Sequence, residues 1–513
     1  MTIYFVNESI NLQNSGIEHA EFDRADLFRK HHVDFKILTS VYLNKLHSVL
    51  PHFNIRDSES INLFDYFQDS LMYTGPVKHL NDVDFGLDVD LKQDDKNPKL
   101  YTARAAINPN LFLGRLVVRD NDSDNPQIEH IEYFDMVGNL YKTEYYDIRG
   151  FKSLVQYYDP SGRLEAENWI KPDGTIAIIK TYMRVRNKTI ATWRIKNHQF
   201  NSLDDVRTYF YNCLNKQGKS MFILDRSNVS EWQLTHLDRP AYLAFILHNC
   251  HTASATDANE PLLNDNYEWD LYNLDRFNCV ISATPKQTRD VKSRFGNTKA
   301  KFFTVPVGVV NDITLNDAHI PMSKRKHHSM LVTARIAPEK GIDNMIKALR
   351  IAQKTIPDLT LDVYGYIDHS NNDATIKAIN KAKNALNDPS TVTIHKHAED
   401  VSELQKQYQL YLIYSRMEGF NLALMEAQSH GMPAITNDVN YGPNDLVVDD
   451  KNGYVVDYDN VEQYAKAIVK AFDDPDNLEQ LSENAYKLSE RFSEDSVWHA
   501  WQTVLTDFEN TTL

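Results

Sequence analysis

The chain has 513 residues, enough for about three domains. Its 42% hydrophobic and 25% charged residues are typical of a globular protein. A net charge of −16 argues against a protein that coats nucleic acid or an anionic membrane, and three sparse cysteines argue against a disulfide framework or a thiolate zinc cluster.

The N-terminal residues do not predict a targeting sequence or a membrane-spanning helix. Met1–Val6 shows no basic region followed by a long apolar run. No stretch approaches the roughly 20 apolar residues of a membrane-spanning helix. We therefore expect a cytoplasmic protein whose contact with a membrane, if any, is peripheral and at its inner face.

The first 40 residues predict the opening of a βαβ unit. Thr2–Val6 is a short apolar run, and Ser15-Gly16 has turn chemistry. A helical stripe of apolar residues follows from Ile17 to Phe28, and residues 34–40 are a second strand candidate.

Residues 54–199 show a different pattern, rich in Tyr, Phe, Val, Ile and Asp. Glycine turns recur at Gly138, Gly162 and Gly174, each between runs with strand character. Short strands with close-set glycine turns are typical of antiparallel hairpins. We predict a β-meander inserted into an α/β domain.

Strand and helix alternate again from about residue 202 to the end of the chain. The basic run Pro321–His328 is a candidate hinge between two α/β halves. Alternation of this kind implies doubly wound parallel sheets. The predicted fold class is α/β, with two Rossmann-like domains, an inserted antiparallel meander and a terminal helix that contains Trp498 and Trp501.

The strongest motif runs from Glu418 to Glu426, between an apolar run and a helix. Gly419 permits close backbone approach to a ligand, and the N–H groups near Asn421 and Leu422 can hold a phosphate. We expect Glu426 two turns into the helix. The alternative is a helix with two acidic residues, one of them a cap.

A second motif, residues 333–341, places Arg335 after a strand and Lys340 before a helix. Two cations beside a helix N-terminus suit a diphosphate. The alternative is a solvated loop with a surface pair between Glu339 and Lys340. Both motifs follow strands in one α/β half, where ligands bind in this architecture.

His248, at the end of an apolar run, is a candidate hydrogen-bond donor to a substrate. A structural histidine is the alternative, and its spacing to His251 is a weaker metal pattern. Other weak metal patterns are Asp82/Asp84, Asp88/Asp90 and His395/His397, and the aspartates fit a solvated acidic loop better. We predict no metal site.

These residues resemble the signature of retaining glycosyltransferases with the GT-B architecture. The resemblance implies that Arg335 and Lys340 hold the diphosphate of a nucleotide sugar, that Glu418 contacts the sugar, and that Glu426 contacts the ribose. It implies a further set of UDP-sugar contacts at Ser15, Gly16, His397, Ala398, Gly419, Phe420, Asn421 and Leu422. The catalytic residues that it implies are Glu418, His248, Arg335 and Lys340, with His248 near the sugar. Glu399 belongs to the segment His397–Glu399, whose backbone meets the base in this family.

A narrower resemblance is to the accessory-secretion glycosyltransferases of Gram-positive bacteria. It is carried by the opening Met1–Tyr4, the Ser15–Glu18 loop, Ile223–Arg226 and the meander. It implies transfer of GlcNAc or glucose from a UDP-sugar to Ser or Thr of serine-rich repeat adhesins, with a paralogous partner subunit or a second copy bound through the meander. Teichoic-acid α-glycosyltransferases have the same build and stay open as an alternative, as does a non-catalytic, acceptor-binding paralogue.

The resemblance also implies a domain layout and a mechanism. The layout is an N-terminal, acceptor-side domain (1–53 and 200–320), the inserted meander (54–199), a C-terminal nucleotide-sugar domain (321–490) and a helix (491–513) that can cross back to the N-terminal domain. The mechanism is metal-independent transfer with retention, without a cofactor. Asn421 stands where the narrower family often has Gly, which leaves the donor sugar open.

Overall fold

The computed structural model describes residues 1–120, 123–185, 188–396, 398 and 400–513. The chain divides into two compact units. The first comprises residues 1–14, 32–241 and 513, and the second comprises residues 15–31 and 242–512. None of the described helices combines the length and the apolar character needed to cross a bilayer.

The described residues form twenty-three β-strands. They are β1 (Thr2–Val6), β2 (Phe35–Thr39), β3 (Ser60–Asn62), β4 (Val89–Gln93), β5 (Leu100–Ala105), β6 (Asn108–Val118), β7 (Ile128–Phe134), β8 (Leu140–Tyr146), β9 (Lys152–Tyr158), β10 (Leu164–Ile170), β11 (Ile176–Val185), β12 (Lys188–Ile195), β13 (His198–Phe200), β14 (Ser220–Leu224), β15 (Tyr242–Leu247), β16 (Cys279–Ser282), β17 (Lys301–Thr304), β18 (Ser329–Thr333), β19 (Thr360–Tyr364), β20 (Val392–His395), β21 (Leu410–Ile413), β22 (Ala434–Asn437) and β23 (Gly453–Val456).

The α-helices alternate with the parallel strands. They are α1 (Gly16–Lys30), α2 (Leu46–Val49), α3 (Leu63–Phe67), α4 (Leu203–Asn215), α5 (Ser227–Leu234), α6 (Glu268–Tyr272), α7 (Pro285–Phe295), α8 (Asp312–Leu315), α9 (Ile342–Ala352), α10 (Ser370–Lys383), α11 (Val401–Gln405), α12 (Leu422–Ser429), α13 (Pro443–Leu446), α14 (Val461–Phe472), α15 (Pro475–Ser489) and α16 (Glu494–Asn510).

The first unit contains parallel strands and a large antiparallel sheet. β14, β1, β2 and β3 pair in that order, all parallel. β4 to β13 form a ten-stranded sheet in which each strand pairs with its neighbours in sequence. Positive φ angles at Gly138, Gly162 and Gly174 make the tight turns between these strands. The predicted antiparallel meander is confirmed, although β4 is a strand where an acidic loop was expected.

The second unit contains parallel sheets only among its described strands. β15, β16 and β17 pair in that order, and a six-stranded sheet has the order β20, β19, β18, β21, β22, β23. Residues of β15 and β21 are buried throughout, as expected for strands covered on both faces. The predicted α/β class with Rossmann-like sheets is confirmed, while the domain limits at 53, 199, 320 and 490 stay predictions.

Two clusters of buried apolar residues pack around the six-stranded sheet. Leu349 of α9, Ile468 of α14 and Leu412 of β21 belong to one apolar cluster and are fully buried. A second cluster, on the other helices of this sheet, includes Leu424 of α12. Both clusters hold the strands in register, so the loops at their carboxyl ends start from fixed positions.

Helices α1 and α16 pack together within the second unit. Phe28 of α1 makes an edge contact with Trp501 of α16, with ring centroids 5.4 Å apart. The guanidinium of Arg24 lies over the same indole ring, 5.4 Å from its centroid. These contacts fix α1, whose first turn reaches the candidate site.

Candidate functional site

An ion pair between Lys340 and Glu418 lies at the centre of the candidate site. The ammonium of Lys340 contacts Oε1 of Glu418, and both side chains are largely buried, at 20% and 12% exposure. Lys340 follows β18 and Glu418 follows β21, and these two strands are paired neighbours. The carboxyl ends of parallel strands meet at one sheet edge, which brings these distant residues together. The surface pair between Glu339 and Lys340, weighed as the alternative, does not form.

Arg335 lies in the same loop as Lys340 but has other partners. Its guanidinium donates to Oδ2 of Asp368 at 3.2 Å and also contacts the carboxylate of Glu339. Asp368 follows β19, the strand on the other side of β18. The loop after β18 thus presents two cations, each held by acidic side chains, at the carboxyl edge of the sheet.

Gly419 brings the Glu418 loop against His248. A Cβ atom built on Gly419 would lie 2.1 Å from the carbonyl oxygen of His248, so only glycine fits there. The backbone N–H of His248 donates to the hydroxyl of Tyr267 at 3.0 Å, which fixes the end of β15. The structure therefore places His248 next to the Glu418 loop.

Helix α12 begins directly after this loop. Asn421 is its N-cap, and the side chain accepts from the N–H of Leu424 at 3.0 Å. Glu426 therefore lies one turn into the helix, not two turns as the sequence suggested. Phe420 is buried and packs edge-on against Phe492, 5.3 Å between centroids, which makes it a core residue of the loop.

The first turn of α1 approaches the first turn of α12. Ser15 caps α1, and its N–H donates to Oε2 of Glu18 at 2.8 Å in a capping box. A Cβ atom on Gly16 would meet Cδ1 of Leu422 at 3.9 Å. Ser15 and Gly16 are thus beside the N-terminus of α12. Ala398 is half-buried, and His397 and Glu399 lie outside the described residues.

Two carboxyl groups of the site have raised pKa values. Desolvation by the surrounding protein atoms raises the pKa of Glu426 to about 7, although the residue itself is exposed. Burial, and then the charge of Glu426, raises the pKa of Asp23 in α1 to about 7. Clustered acids with raised pKa values are typical of functional sites.

Sequence reasoning missed Asp23. A signal existed, because Asp23 lies seven residues after Gly16, which places both on the same face of α1. The opposing residue, Glu426, comes from a segment four hundred residues away along the chain. Periodicity within one helix does not reveal such a partner.

The described residues include one group with metal-ligand spacing, and it lies away from this site. His327, His328 and Asp358 offer ligand atoms within 4.8 Å of one another. They precede β18 and β19, at the amino edge of the sheet, opposite the carboxyl edge that carries Lys340. Of the weak pattern His395/His397, His395 is hydrogen-bonded to Asp362, 3.0 Å between Nε2 and Oδ1, and His397 lies outside the described residues.

The chain is similar to known glycosyltransferases in sequence and in fold. Residues 320–488 match the family described as glycosyl transferases group 1. The fold is similar to that in the crystal structure of the pneumococcal O-GlcNAc transferase GtfA in complex with UDP and GlcNAc, with a TM-score of 0.83. The two sequences are 25% identical, and the match covers 100% of this chain and 99% of that one. The chain has the GT-B fold of these glycosyltransferases.

Two further relatives match this chain over its full length, and a third matches it in part. The GtfA subunit of a UDP-N-acetylglucosamine–peptide N-acetylglucosaminyltransferase from Streptococcus agalactiae is 29% identical over 98% of both chains. A GtfA/B complex structure is 26% identical, with a TM-score of 0.82 over 100% of both chains. A poly(glycerol-phosphate) α-glucosyltransferase from Bacillus subtilis is 29% identical, over 59% of this chain and 43% of its own length. The GT-B resemblance found in the sequence is confirmed.

The raised pKa of Asp23 predicts a stability that depends on pH. Ionisation of this carboxyl is penalised in the folded state, so stability falls as pH rises from about 4 to about 7. We expect Asp23→Asn to lessen this fall and to stabilise the protein at pH 8 by about 1 kcal/mol after solvent screening, with little effect at pH 4.

Urea unfolding at several pH values measures this difference. Asp26→Asn is the matched control, since Asp26 is exposed on the same helix beside Arg29. An Asp23→Asn variant with the same pH dependence as the wild type would contradict the assignment.

Proposed function

We propose that this protein transfers GlcNAc, or glucose, from a UDP-sugar to Ser or Thr of a serine-rich repeat adhesin, the first step of the adhesin's O-glycosylation. The observation that carries the proposal is the full-length similarity to peptide N-acetylglucosaminyltransferases. That similarity extends through the ten-stranded sheet, whereas the family match to residues 320–488 covers only the C-terminal sheet. We place the reaction in the cytoplasm, at most peripherally at the inner face of the membrane.

The diphosphate of the donor is assigned to Lys340 and Arg335. In the structure each cation is paired with carboxylates, Lys340 with Glu418 and Arg335 with Asp368 and Glu339. A diphosphate carries more charge than a carboxylate and suits both cations, so it can replace these partners. The N-terminus of α12 adds backbone N–H groups and a favourable dipole.

The sugar and the ribose are assigned to the two glutamates. Glu418 accepts hydrogen bonds from sugar hydroxyls, and Glu426 accepts from the ribose. His248, held beside Gly419, faces the same sugar as a hydrogen-bond donor. Ser15 and Gly16, at the start of α1, line the diphosphate side, and His397, Ala398 and Glu399 supply the contact to the base.

We propose that transfer proceeds with retention and without a metal. Two donors engage Oε1 of Glu418, so this group serves as an acceptor for hydroxyls and not as a covalent nucleophile. The acceptor hydroxyl attacks the anomeric carbon on the face that the diphosphate leaves. Its proton passes to the departing diphosphate oxygen, and Lys340 and Arg335 stabilise the negative charge that develops there.

A partner subunit is part of the proposal. β4 is an edge strand of the ten-stranded sheet with an almost fully exposed side-chain row. Large apolar residues are exposed at two turns of this sheet: Ile107 at 93%, Met136 at 89% and Val137 at 82%. Open edges and exposed apolar tips are typical of surfaces that another chain covers. A paralogous glycosyltransferase-like subunit, or a second copy, is the proposed occupant.

The main alternative is a teichoic-acid α-glycosyltransferase, supported by the partial similarity to the poly(glycerol-phosphate) enzyme. A non-catalytic, acceptor-binding paralogue is a second alternative. A protein without donor chemistry has no need of the ion pair between Lys340 and Glu418. The presence of that pair favours an enzyme.

The proposed donor and acceptor are tested by one transfer assay. The protein, alone and co-purified with its paralogue, is incubated with UDP-GlcNAc or UDP-glucose and a Ser/Thr-rich peptide, and the mass of the peptide is measured. We expect the mass of one N-acetylhexosamine or hexose to be added. Glu418→Ala should lower the rate by about 10² or more, as expected for loss of a charged contact to the reacting sugar.

A glycerol-phosphate polymer is the competing acceptor in the same assay. Modification of the polymer and not of the peptide would replace the adhesin proposal by the teichoic-acid alternative. Consumption of neither donor would contradict both.

Metal independence gives a separate prediction. The cationic groups of Lys340 and Arg335 supply the charge that a metal supplies in other transferases, so excess EDTA should leave the rate of donor consumption unchanged. The control is EDTA with an excess of Mg²⁺ added back. A rate that falls with EDTA and returns with Mg²⁺ would contradict the mechanism.

A further inference from the structure

Asn421 has a backbone conformation that most residues avoid. Its φ and ψ angles are both 82°, in the left-handed region. Glycine adopts this region freely, whereas other residues pay a cost of about 1 kcal/mol or more. Asparagine tolerates it better than most because its short polar side chain can bond locally. Contacts of the Asn421 side chain must therefore offset the free energy of this left-handed conformation.

Both ends of the Asn421 amide are engaged. Oδ1 accepts from the backbone N–H of Leu424 at 3.0 Å, and Nδ2 donates to Oε1 of Glu418 at 3.2 Å. The two partners fix the orientation of the amide, since the Leu424 N–H only donates and a carboxylate oxygen only accepts. The side chain therefore connects the cap of α12 to the carboxylate in the loop before it.

Oε1 of Glu418 thus receives two donors of different kinds. One is the charged ammonium of Lys340, and the other is the neutral amide of Asn421. For Oε2, the described part of the chain provides no hydrogen bond, and this oxygen is not among the buried atoms without a partner. One oxygen is held by the protein, and the other is open to a ligand.

We propose that Asn421 is a positioning residue for Glu418 in the donor complex. The inference rests on the proposed function, in which Lys340 turns to the donor diphosphate. The carboxylate then loses its charged partner, and Asn421 is the group that keeps Oε1 in place while Oε2 accepts from the sugar. A neutral donor suits this role because it does not compete for the diphosphate.

Two substitutions separate positioning from simple capping. Asn421→Asp keeps an oxygen that caps Leu424, but it loses the donor and places a like charge beside Glu418. Asn421→Gly suits the backbone but loses both bonds. If Asn421 only caps the helix, the Asp variant should be as active as the wild type. If Asn421 positions Glu418, the Asn421→Asp variant should be less active than the Asn421→Gly variant.

The experiment measures UDP-sugar hydrolysis and thermal unfolding on the full chain. We expect Asn421→Asp to remain folded at the assay temperature and to lose about 10- to 100-fold in kcat/KM, the size of a hydrogen bond to a charged group. Activity should recover partly at pH 5, where the new carboxyl begins to be protonated. Asn460→Asp is the matched control, because Asn460 caps α14 by the same bond, to the N–H of Gln463 at 3.0 Å.

Two different failures can be told apart. Wild-type activity in Asn421→Asp, in a protein whose wild type hydrolyses a UDP-sugar, would overturn the role of Asn421 alone. A wild-type protein that hydrolyses no UDP-sugar would overturn the proposed function and this role with it. Equal losses in Asn421→Asp and Asn460→Asp would also overturn the inference, since they would reflect a general effect of added charge.

Discussion

The contact between Lys340 and Glu418 is the interaction on which the rest of the site depends. It joins the loops after two neighbouring strands, β18 and β21, and most of both side chains is removed from solvent. A buried charge without a partner is unfavourable, so the two side chains form an ion pair in the absence of ligand. In the proposed function, the more highly charged diphosphate replaces Glu418 as the partner of Lys340. The pair keeps the loops arranged for a diphosphate and a sugar in the absence of both.

Close packing around this pair leaves little freedom to the neighbouring residues. Gly419 has no room for a side chain beside the His248 carbonyl, and Asn421 takes a left-handed conformation to cap α12 and hold Glu418. Asp23 and Glu426 are confined near each other, with pKa values raised to about 7. Ionisation of these two carboxyl groups lowers the stability of the folded protein, and such local losses of stability are common at functional sites.

The sequence predicted the class of fold, and it pointed to residues that the structure brings together, for identifiable reasons. Parallel strands such as β15 are continuous apolar runs, and the glycine turns of the meander punctuate its strands, so local patterns were sufficient. Lys340 and Glu418 could be found because each follows a strand. The pairing of Asp23 with Glu426 could not be found, because it joins segments that are distant in sequence and meet only in the fold. The depth of Glu426 in α12 was misjudged since the helix begins only after the Asn421 cap.

Binding of UDP to variants of the ion pair tests the central claim most directly. Isothermal titration of UDP into Lys340→Ala should show affinity at least about tenfold weaker than the wild type, because a cation on the diphosphate is lost. Lys347→Ala, which removes an exposed lysine on α9, is the control. Glu418→Gln should bind UDP as tightly as the wild type or more tightly, since it releases Lys340. Wild-type affinity in Lys340→Ala would contradict the account.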